Sequence, residues 1–185
     1  MPVLGSLDLK PFPTTRPSTA THPFMKRLIL CLFLSTLALS GAPEYPSQGP
    51  DIYDPKADGS ALIAAALDQA KLEHKQVILD FGANWCPWCR RLHGLFEGNP
   101  QVAAALKKGY VVVMIDVNTR NGVKRNAQVN LRYGNPVHYG LPVLMVLNAK
   151  GETVTTQDSG ELEEGQGHSP AKVLAFLDKW ADERP

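Results

Sequence analysis

The stretch Val77-Ile-Leu-Asp-Phe-Gly-Ala-Asn-Trp-Cys-Pro-Trp-Cys-Arg-Arg91 decides the fold, because a short apolar run with β character empties into Cys86-Pro87-Trp88-Cys89 and then into a helical pattern. Two cysteines three apart at the start of a helix lie about one turn from each other, within reach of a strained but allowed disulfide. Cys86 then sits at the helix N-terminus. Unpaired backbone N–H groups and the positive end of the helix dipole there favour thiolate over thiol. Cys86 is therefore the expected nucleophile, and Cys89, one turn further in, the expected resolving thiol. Pro87 suits the first helical position, where its missing N–H costs nothing.

Upstream, residues 61–74 place Ile63, Ala66, Leu67 and Ala70 at helical spacing, with Asp68, Gln69, Lys71 and Glu73 facing out. This is the pattern of a surface helix laid on a sheet, and Ser60 can cap it. Residues 76–81 follow as a short buried strand. Downstream of the cysteines, Gly94, Gly98 and Asn99-Pro100 predict a kink or a stop and restart. Asn99 would cap a second helical piece through Lys108 that turns Val102, Ala105 and Leu106 inward. The apolar run 110–117 reads as a strand covered on both faces. A weaker helix is expected over 121–133, a loop over 134–140, a strand over 143–147 and an alternating strand over 152–157, the last two forming a hairpin. An acidic, Gly-rich surface loop spans 158–168, and Ser169-Pro170 starts a final helix with Val173, Leu177, Trp180 and Ala181 as its apolar stripe. The order α β α β α β β α predicts an α/β sandwich with a mixed central sheet flanked by helices.

At Asp80-Phe81, Ala83 and Trp85-Cys86-x-x-Cys89 the chain resembles the active-site segment of the thioredoxin family, and the likeness runs roughly from Ser60 to the C-terminus. The family's buried acid stands six residues before its first cysteine, as Asp80 does, and its Trp directly precedes that cysteine, as Trp85 does. Gly140-Leu141-Pro142-Val143 resembles the family's cis-proline on a strand after a small loop. Pro87-Trp88 departs from the Gly-Pro and Gly-His dipeptides of familiar members. The resemblance implies a thioredoxin-like sandwich and a thiol-disulfide oxidoreductase acting on protein or peptide disulfides. Cys86 attacks, a mixed disulfide forms, and Cys89 resolves it, with no bound cofactor required.

Asp80 is a carboxylate in an otherwise apolar strand, expensive to bury charged, so it is expected to titrate well above its ordinary range. As the resemblance implies, it would accept the proton of Cys89 during resolution, directly or through a water. The alternative is a strand-end Asp bonded to a backbone group. The family often carries a lysine on the next strand near this acid, and residues 111–117 offer none. Pro142 argues for a bulge, an edge or a cis bond, since a trans proline would interrupt a central ladder. By resemblance it is cis and lies against the cysteines, leaving the backbone of Leu141 free to pair with an extended substrate segment. Trp85 and Trp88 either form an apolar rim for that segment or pack against the neighbouring loop. Arg90 and Arg91 read as a solvated helix face, or as a charge that stabilises the thiolate.

A chain of 185 residues, 44% apolar and 20% charged, is long enough for one domain with a substantial core. Met25-Lys26-Arg27 followed by the apolar residues 28–39 has the basic and apolar regions of a secretory signal, too short for a stable transmembrane helix. Small residues around 38–42 offer cleavage sites. Residues 1–24, with five prolines and no periodicity, read as an upstream leader ahead of the true start. The expected organisation is thus a leader at 1–24, a signal peptide at 25–42, a linker at 43–59 with a short edge segment near Ile52-Tyr53, and a thioredoxin-like domain at 60–185. Removing residues 1–42 takes four of the 19 basic and one of the 18 acidic residues, leaving 15 against 17, a net of −2. No strong field for nucleic acid or an anionic membrane remains. The same cut removes Cys31, and a lone Cys86/Cys89 pair in an oxidising compartment reads as a working couple rather than a staple. The chain is expected to be exported, periplasmic or secreted, with a membrane or secreted thiol as electron donor.

Two other classes fit the same residues. One is a thioredoxin-fold module that binds extended peptides and carries its CxxC incidentally. The other is a metal carrier through Cys86, Cys89 and His93, which follows Cys89 by four on the same helical face. A closed zinc site needs a fourth ligand, and His138 and His168 lie in distant loops, so His93 reads more simply as an ordinary helix residue. Within the redox reading, the lack of a cation between the cysteines points to a reductase or isomerase rather than a strong oxidant.

Overall fold

Strand β1 (Gln76–Gly82) is buried along its whole length, and the two-residue period of its side chains sets the layers of the molecule. The computed structural model describes residues 48–158 and 160–181; the leader and signal peptide expected over 1–42 lie outside the described residues. β1 runs parallel to β2 (Tyr110–Asp116), Gln76 opposite Tyr110 and Gly82 opposite Asp116. It runs antiparallel to β3 (Val143–Leu147), which pairs antiparallel with β4 (Thr153–Gln157). The mixed sheet has the order β2-β1-β3-β4.

Val77, Leu79 and Phe81 face one core, closed by Ile63, Ala66 and Ala70 of α1 (Gly59–Glu73) and Val129 of α4 (Ala127–Arg132). Ile78 faces the other, with Leu92 and Phe96 of α2 (Pro87–Gly98), Val102 and Leu106 of α3 (Pro100–Gly109), and Val173, Phe176 and Leu177 of α5 (Pro170–Ala181). Of the stripes expected from the sequence, Ile63, Ala66, Ala70, Val102, Leu106, Val173 and Leu177 are buried, while Leu67, Ala105, Trp180 and Ala181 are half-buried and α5 also buries Phe176. Asp80 shares the parity of Ile78, so it lies on the α2 side of the sheet.

Local chemistry fixes the ends. Asp58, not Ser60, caps α1: its Oδ1 accepts from Ser60 N–H at 2.8 Å and Ala61 N–H at 3.3 Å. The aspartate two residues ahead takes the cap, since the N–H of Ser60 is itself one of the helix donors that needs an acceptor. Asn99 stops α2 and starts α3, accepting from the N–H groups of Gln101 and Val102, with Pro100 in the first turn. The helix expected over 121–133 divides into a 3-10 turn at Arg120–Gly122 and the short α4, because Asn121 and Asn126 adopt left-handed φ of 56° and 48°. Within the loop expected at 158–168, Glu163–Glu164 and Gly167–His168 pair as a small antiparallel ladder, β5 and β6.

The largest departure concerns the segment expected to be a linker. From Gln48 onward it lies against the β1–α2 junction, and Tyr53 is 1% exposed. Asn84 holds it in place: its Oδ1 accepts from the N–H groups of Ile52 (2.8 Å) and Tyr53 (2.9 Å), while its Nδ2 donates to Tyr53 C=O at 2.8 Å. One amide side chain thereby satisfies three backbone groups that no strand pairs.

Candidate active site

Cys86 is the N-cap of α2, in extended conformation, and Pro87 opens the helix. Its Sγ accepts the backbone N–H of Cys89 at 3.2 Å and faces the carbonyl of Leu141 at 3.6 Å. The hydrogen bond between the two cysteines, with backbone donors from Cys89 and Trp88 and the nearby charge of Arg120, outweighs burial and pulls the Cys86 thiol down to about 7. Cys89 is fully buried one turn deeper, and burial together with the neighbouring Cys86 and Asp80 pushes its thiol far up. Among the described residues both cysteines are free thiols. Cys86 is only 4% exposed, less open than an accessible helix-terminal thiol, because the Leu141 loop covers one side of it.

Asp80 is 0% exposed, and burial pushes its carboxyl up from 3.8 to about 7 against the opposing hydrogen bond of Tyr53. Its partner is a side chain, not the strand-end backbone group of the alternative reading: Tyr53 Oη donates to Asp80 Oδ1 at 3.0 Å. Its strand neighbours Met114 and Leu144 bring no charge. The hydrogen-bonding side chain at this carboxyl thus comes from the segment ahead of α1 rather than from β2.

Trp85 and Trp88 are both half-buried, and their environments separate them. Trp85 Nε1–H donates to Asn118 Oδ1 at 2.6 Å, and Arg120 lies over its ring at 3.6 Å. Trp88 meets the edge of His168 at 5.7 Å between centroids and carries Arg91 on its ring at 4.6 Å. The Gly-rich loop therefore does pack on Trp88, through a buried histidine that burial and Arg91 keep low in pKa. Pro142 follows Leu141 through a cis peptide and stands just ahead of β3, not inside it. Leu141 packs with Tyr53, Cys86 and Cys89, so the structure brings Cys86, Cys89, Asp80, Trp85, Trp88, Leu141 and Pro142 to one end of the sheet.

Arg90 is not a solvated face residue: its Nε donates to Asn84 C=O and its Nη1 to Pro50 C=O, both at 2.8 Å, pinning the N-terminal segment to α2. Gln48 adds a bond to Trp85 C=O at 2.8 Å. His93 Nε2 turns along the helix to Glu97 Oε2 at 3.4 Å. Among the described residues no group of three or more His, Cys, Asp or Glu is arranged to hold a metal ion. Tyr53, Asn84, Asn118 and Arg120 were not foreseen as site residues; the Ile52-Tyr53 pair in the Pro-rich segment and the amide just before Trp85 were the available signals.

A family model described as thioredoxin-like matches residues 60–149. A crystal structure described as a disulphide isomerase from Xylella fastidiosa Temecula1 is 34% identical, with a TM-score of 0.62, covering 70% of this chain and 96% of that one. The thiol:disulfide interchange protein DsbD of Klebsiella pneumoniae is 30% identical over 168 residues, 86% of this chain and 24% of that protein. Its namesake in Pseudomonas fluorescens is 30% identical over 125 residues, 67% of this chain and 19% of that protein. The chain thus spans a quarter or less of the length of these two interchange proteins.

Proposed function

The chain belongs to the thioredoxin-like family, and from that premise we propose that it is a thiol-disulfide oxidoreductase that reduces or isomerises protein disulfides outside the cytoplasm, Cys86 attacking and Cys89 resolving. The observation that carries this reading is the placing of the Cys86 sulfur at the N-cap of α2, with Cys89 N–H bonded to it and its thiol brought down to about 7. Near neutral pH such a sulfur is substantially thiolate while retaining nucleophilicity.

The thiolate of Cys86 attacks one sulfur of the substrate disulfide, the other substrate sulfur leaves as thiolate, and a mixed disulfide joins substrate to Cys86. Leu141, before the cis-proline, presents its backbone beside the cysteine and can pair with an extended substrate segment. In this reading Trp85 and Trp88, both half-buried, supply the apolar rim for that segment. Cys89 then gives up its proton and attacks Cys86 Sγ, releasing the reduced substrate and leaving the Cys86–Cys89 disulfide. Asp80, at about 7, is the buried base for that proton. The name of the similar Xylella protein agrees with an isomerase activity, and the names of the interchange proteins agree with exchange between thiols and disulfides. Export rests on the basic and apolar residues 25–39. In an oxidising compartment the reduced form has to be regenerated, so a membrane or secreted thiol is the implied electron donor.

Turnover of an insulin-type disulfide tests the chemistry. It should vanish in Cys86→Ser and halt at the mixed disulfide in Cys89→Ser; activity surviving in Cys86→Ser would overturn the reading. Export predicts a mature chain beginning near Gly41 or Pro43 by mass spectrometry, and an exported chain retaining Met1 or Met25 would refute the cleavage.

A further inference from the structure

Tyr53 lies outside the residues matched by the family model, yet its hydroxyl reaches the centre of the buried site. The ring is 1% exposed and packs with Cys86 and Cys89. Its oxygen donates to Asp80 Oδ1 at 3.0 Å. It also crowds the Cys89 sulfur: a methyl group built on Gly82 would stand 2.0 Å from the Tyr53 oxygen and 2.9 Å from Cys89 Sγ, so both atoms border one point beside the bare Gly82 backbone. Among the described residues the second carboxylate oxygen, Asp80 Oδ2, is buried with no hydrogen-bond partner. The phenol therefore stands where the resolving thiol and the acid meet.

We propose that Tyr53 relays the resolving proton, taking it from Cys89 as it hands its own to Asp80. The step rests on the assignment of Cys86 and Cys89 made above. As Cys89 Sγ attacks Cys86 Sγ of the mixed disulfide, its S–H proton passes to the Tyr53 oxygen. The Tyr53 O–H proton passes to Asp80 Oδ1, and the substrate sulfur departs with the electron pair of the broken S–S bond. Protons and electrons balance, and tyrosine ends as it began. Burial, with Asp80 and Cys89 beside it, holds Tyr53 well above its ordinary range, so the phenol stays protonated between turnovers and serves as a conduit rather than a base.

The same geometry explains the anchoring of the 48–58 segment. A relay requires the phenol oxygen to hold its place to a few tenths of an ångström. Asn84 fixes the backbone of Tyr53 on both sides, and Arg90 fixes Pro50. The groups facing the relay are Asp80 from β1 and Cys86 and Cys89 from α2, with Arg120 acting on Cys86 from outside; the strand neighbours Met114 and Leu144 are apolar. Asp80 is thus the carboxylate whose titration sets the acidic limb of the resolving step.

The test follows formation and decay of the mixed disulfide by acid quench and mass, using the full chain and a peptide disulfide. In Tyr53→Phe, formation should stay within about twofold while decay slows on the order of tenfold or more. The hydrogen bond from Tyr53 holds Asp80 down, so its loss should move the acidic limb of the decay rate to higher pH. Adding Tyr53→Phe to Asp80→Asn should slow decay no further than Asp80→Asn alone. In the unaltered chain, decay in mixtures of light and heavy water should depend on deuterium fraction along a curve, as two protons move together. Decay at the wild-type rate, slowed decay with an unmoved limb, or a straight isotope plot overturns the relay and leaves the Cys86/Cys89 assignment standing. Turnover surviving in Cys86→Ser overturns both.

Discussion

The guanidinium of Arg120 rests 3.6 Å from the centre of the Trp85 ring, directly before Cys86 in sequence, and it is the side-chain cation that lowers the Cys86 thiol. No cation stands between the cysteines, so the charge at this site comes from the connection after β2 instead. Asn118 organises it, accepting the Trp85 indole N–H at 2.6 Å and the backbone N–H of Arg120 at 3.1 Å. The arginine is exposed, so its field is partly screened, and it trims the thiol where an interposed buried charge would depress it strongly.

Arg120→Gln should therefore raise the Cys86 pKa by a few tenths of a unit to about one unit, in keeping with an exposed charge. Thiolate absorbance against pH measures this directly. High salt should raise the wild-type value toward that of the variant, and a variant titrating with the wild type at low salt would remove Arg120 from the account.

Alkylation should distinguish the two thiols. Cys86, at about 7, gains reactivity as pH rises through neutrality, while Cys89 is buried and pushed far up. Iodoacetamide should label Cys86 with a midpoint near pH 7 and leave Cys89 unmodified until the chain unfolds. Since Cys86 is 4% exposed, its rate should fall below that of a small-molecule thiol of equal pKa. Equal labelling of both cysteines in the folded chain would contradict the assignment.

Asp80 makes stability depend on pH with a definite sign. Its carboxyl titrates at 3.8 ordinarily and at about 7 when folded, so between those values the folded chain holds a proton the unfolded chain has released. The resulting stabilisation is full below about pH 4 and is lost as pH rises to 7, amounting to at most about 4 kcal/mol. The lowered Cys86 thiol acts in the opposite sense, but above pH 7, so the two windows barely overlap. Asp80→Asn should therefore gain relative to wild type by a few kcal/mol between pH 4.5 and 8 in denaturant unfolding. A difference independent of pH would show that the carboxyl does not titrate in that range.

Much of this site was legible because its determinants are local. Cys86, Pro87 and Cys89 specify their own geometry through the helix N-terminus, and the two-residue period of β1 puts Asp80 on the α2 face. The Leu141–Pro142 pair announced itself as a proline where a strand begins. Tyr53 did not, because its contact with Asp80 crosses 27 residues, and a Pro-rich segment carries no periodicity from which burial could be read. Asn84 was hidden for the same reason: its three backbone partners lie 31 or 32 residues away. The cap of α1 failed differently, since Asp58 and Ser60 are both good capping residues and only the path of the chain ahead of α1 decides between them.

Gly82 should tolerate no side chain. A methyl group there would stand 2.0 Å from the Tyr53 oxygen, 2.5 Å from its ring carbon Cζ and 2.9 Å from Cys89 Sγ, so the phenol has to leave or the helix has to shift. Gly82→Ala should cost roughly 1–3 kcal/mol, as overpacked cores do. It should also free the 48–58 segment, making exposed Lys56 a tryptic site in an otherwise folded chain. Wild-type stability and an uncut Lys56 in that variant would mean that Tyr53 is not held against Gly82.

The direction of the couple follows from how strongly the reduced form is stabilised. Among dithiol couples, thioredoxin has its nucleophilic thiol near 7 and a potential of about −270 mV, while the strong periplasmic oxidant has a thiol near 3.5 and a potential of about −120 mV. Each unit of thiolate stabilisation favours the dithiol, which makes the disulfide a better oxidant. Here Cys86 is brought down only to about 7. Cys89 is pushed up by burial, with the Asp80 charge adding to the shift, so a second thiolate gives the reduced state nothing. Equilibration with a glutathione buffer at pH 7 should therefore place the potential below about −200 mV. Arg120→Gln should move it further negative, since the lost cation favoured the thiolate of the reduced form. A wild-type potential above roughly −150 mV would reverse the direction and make the chain a disulfide donor.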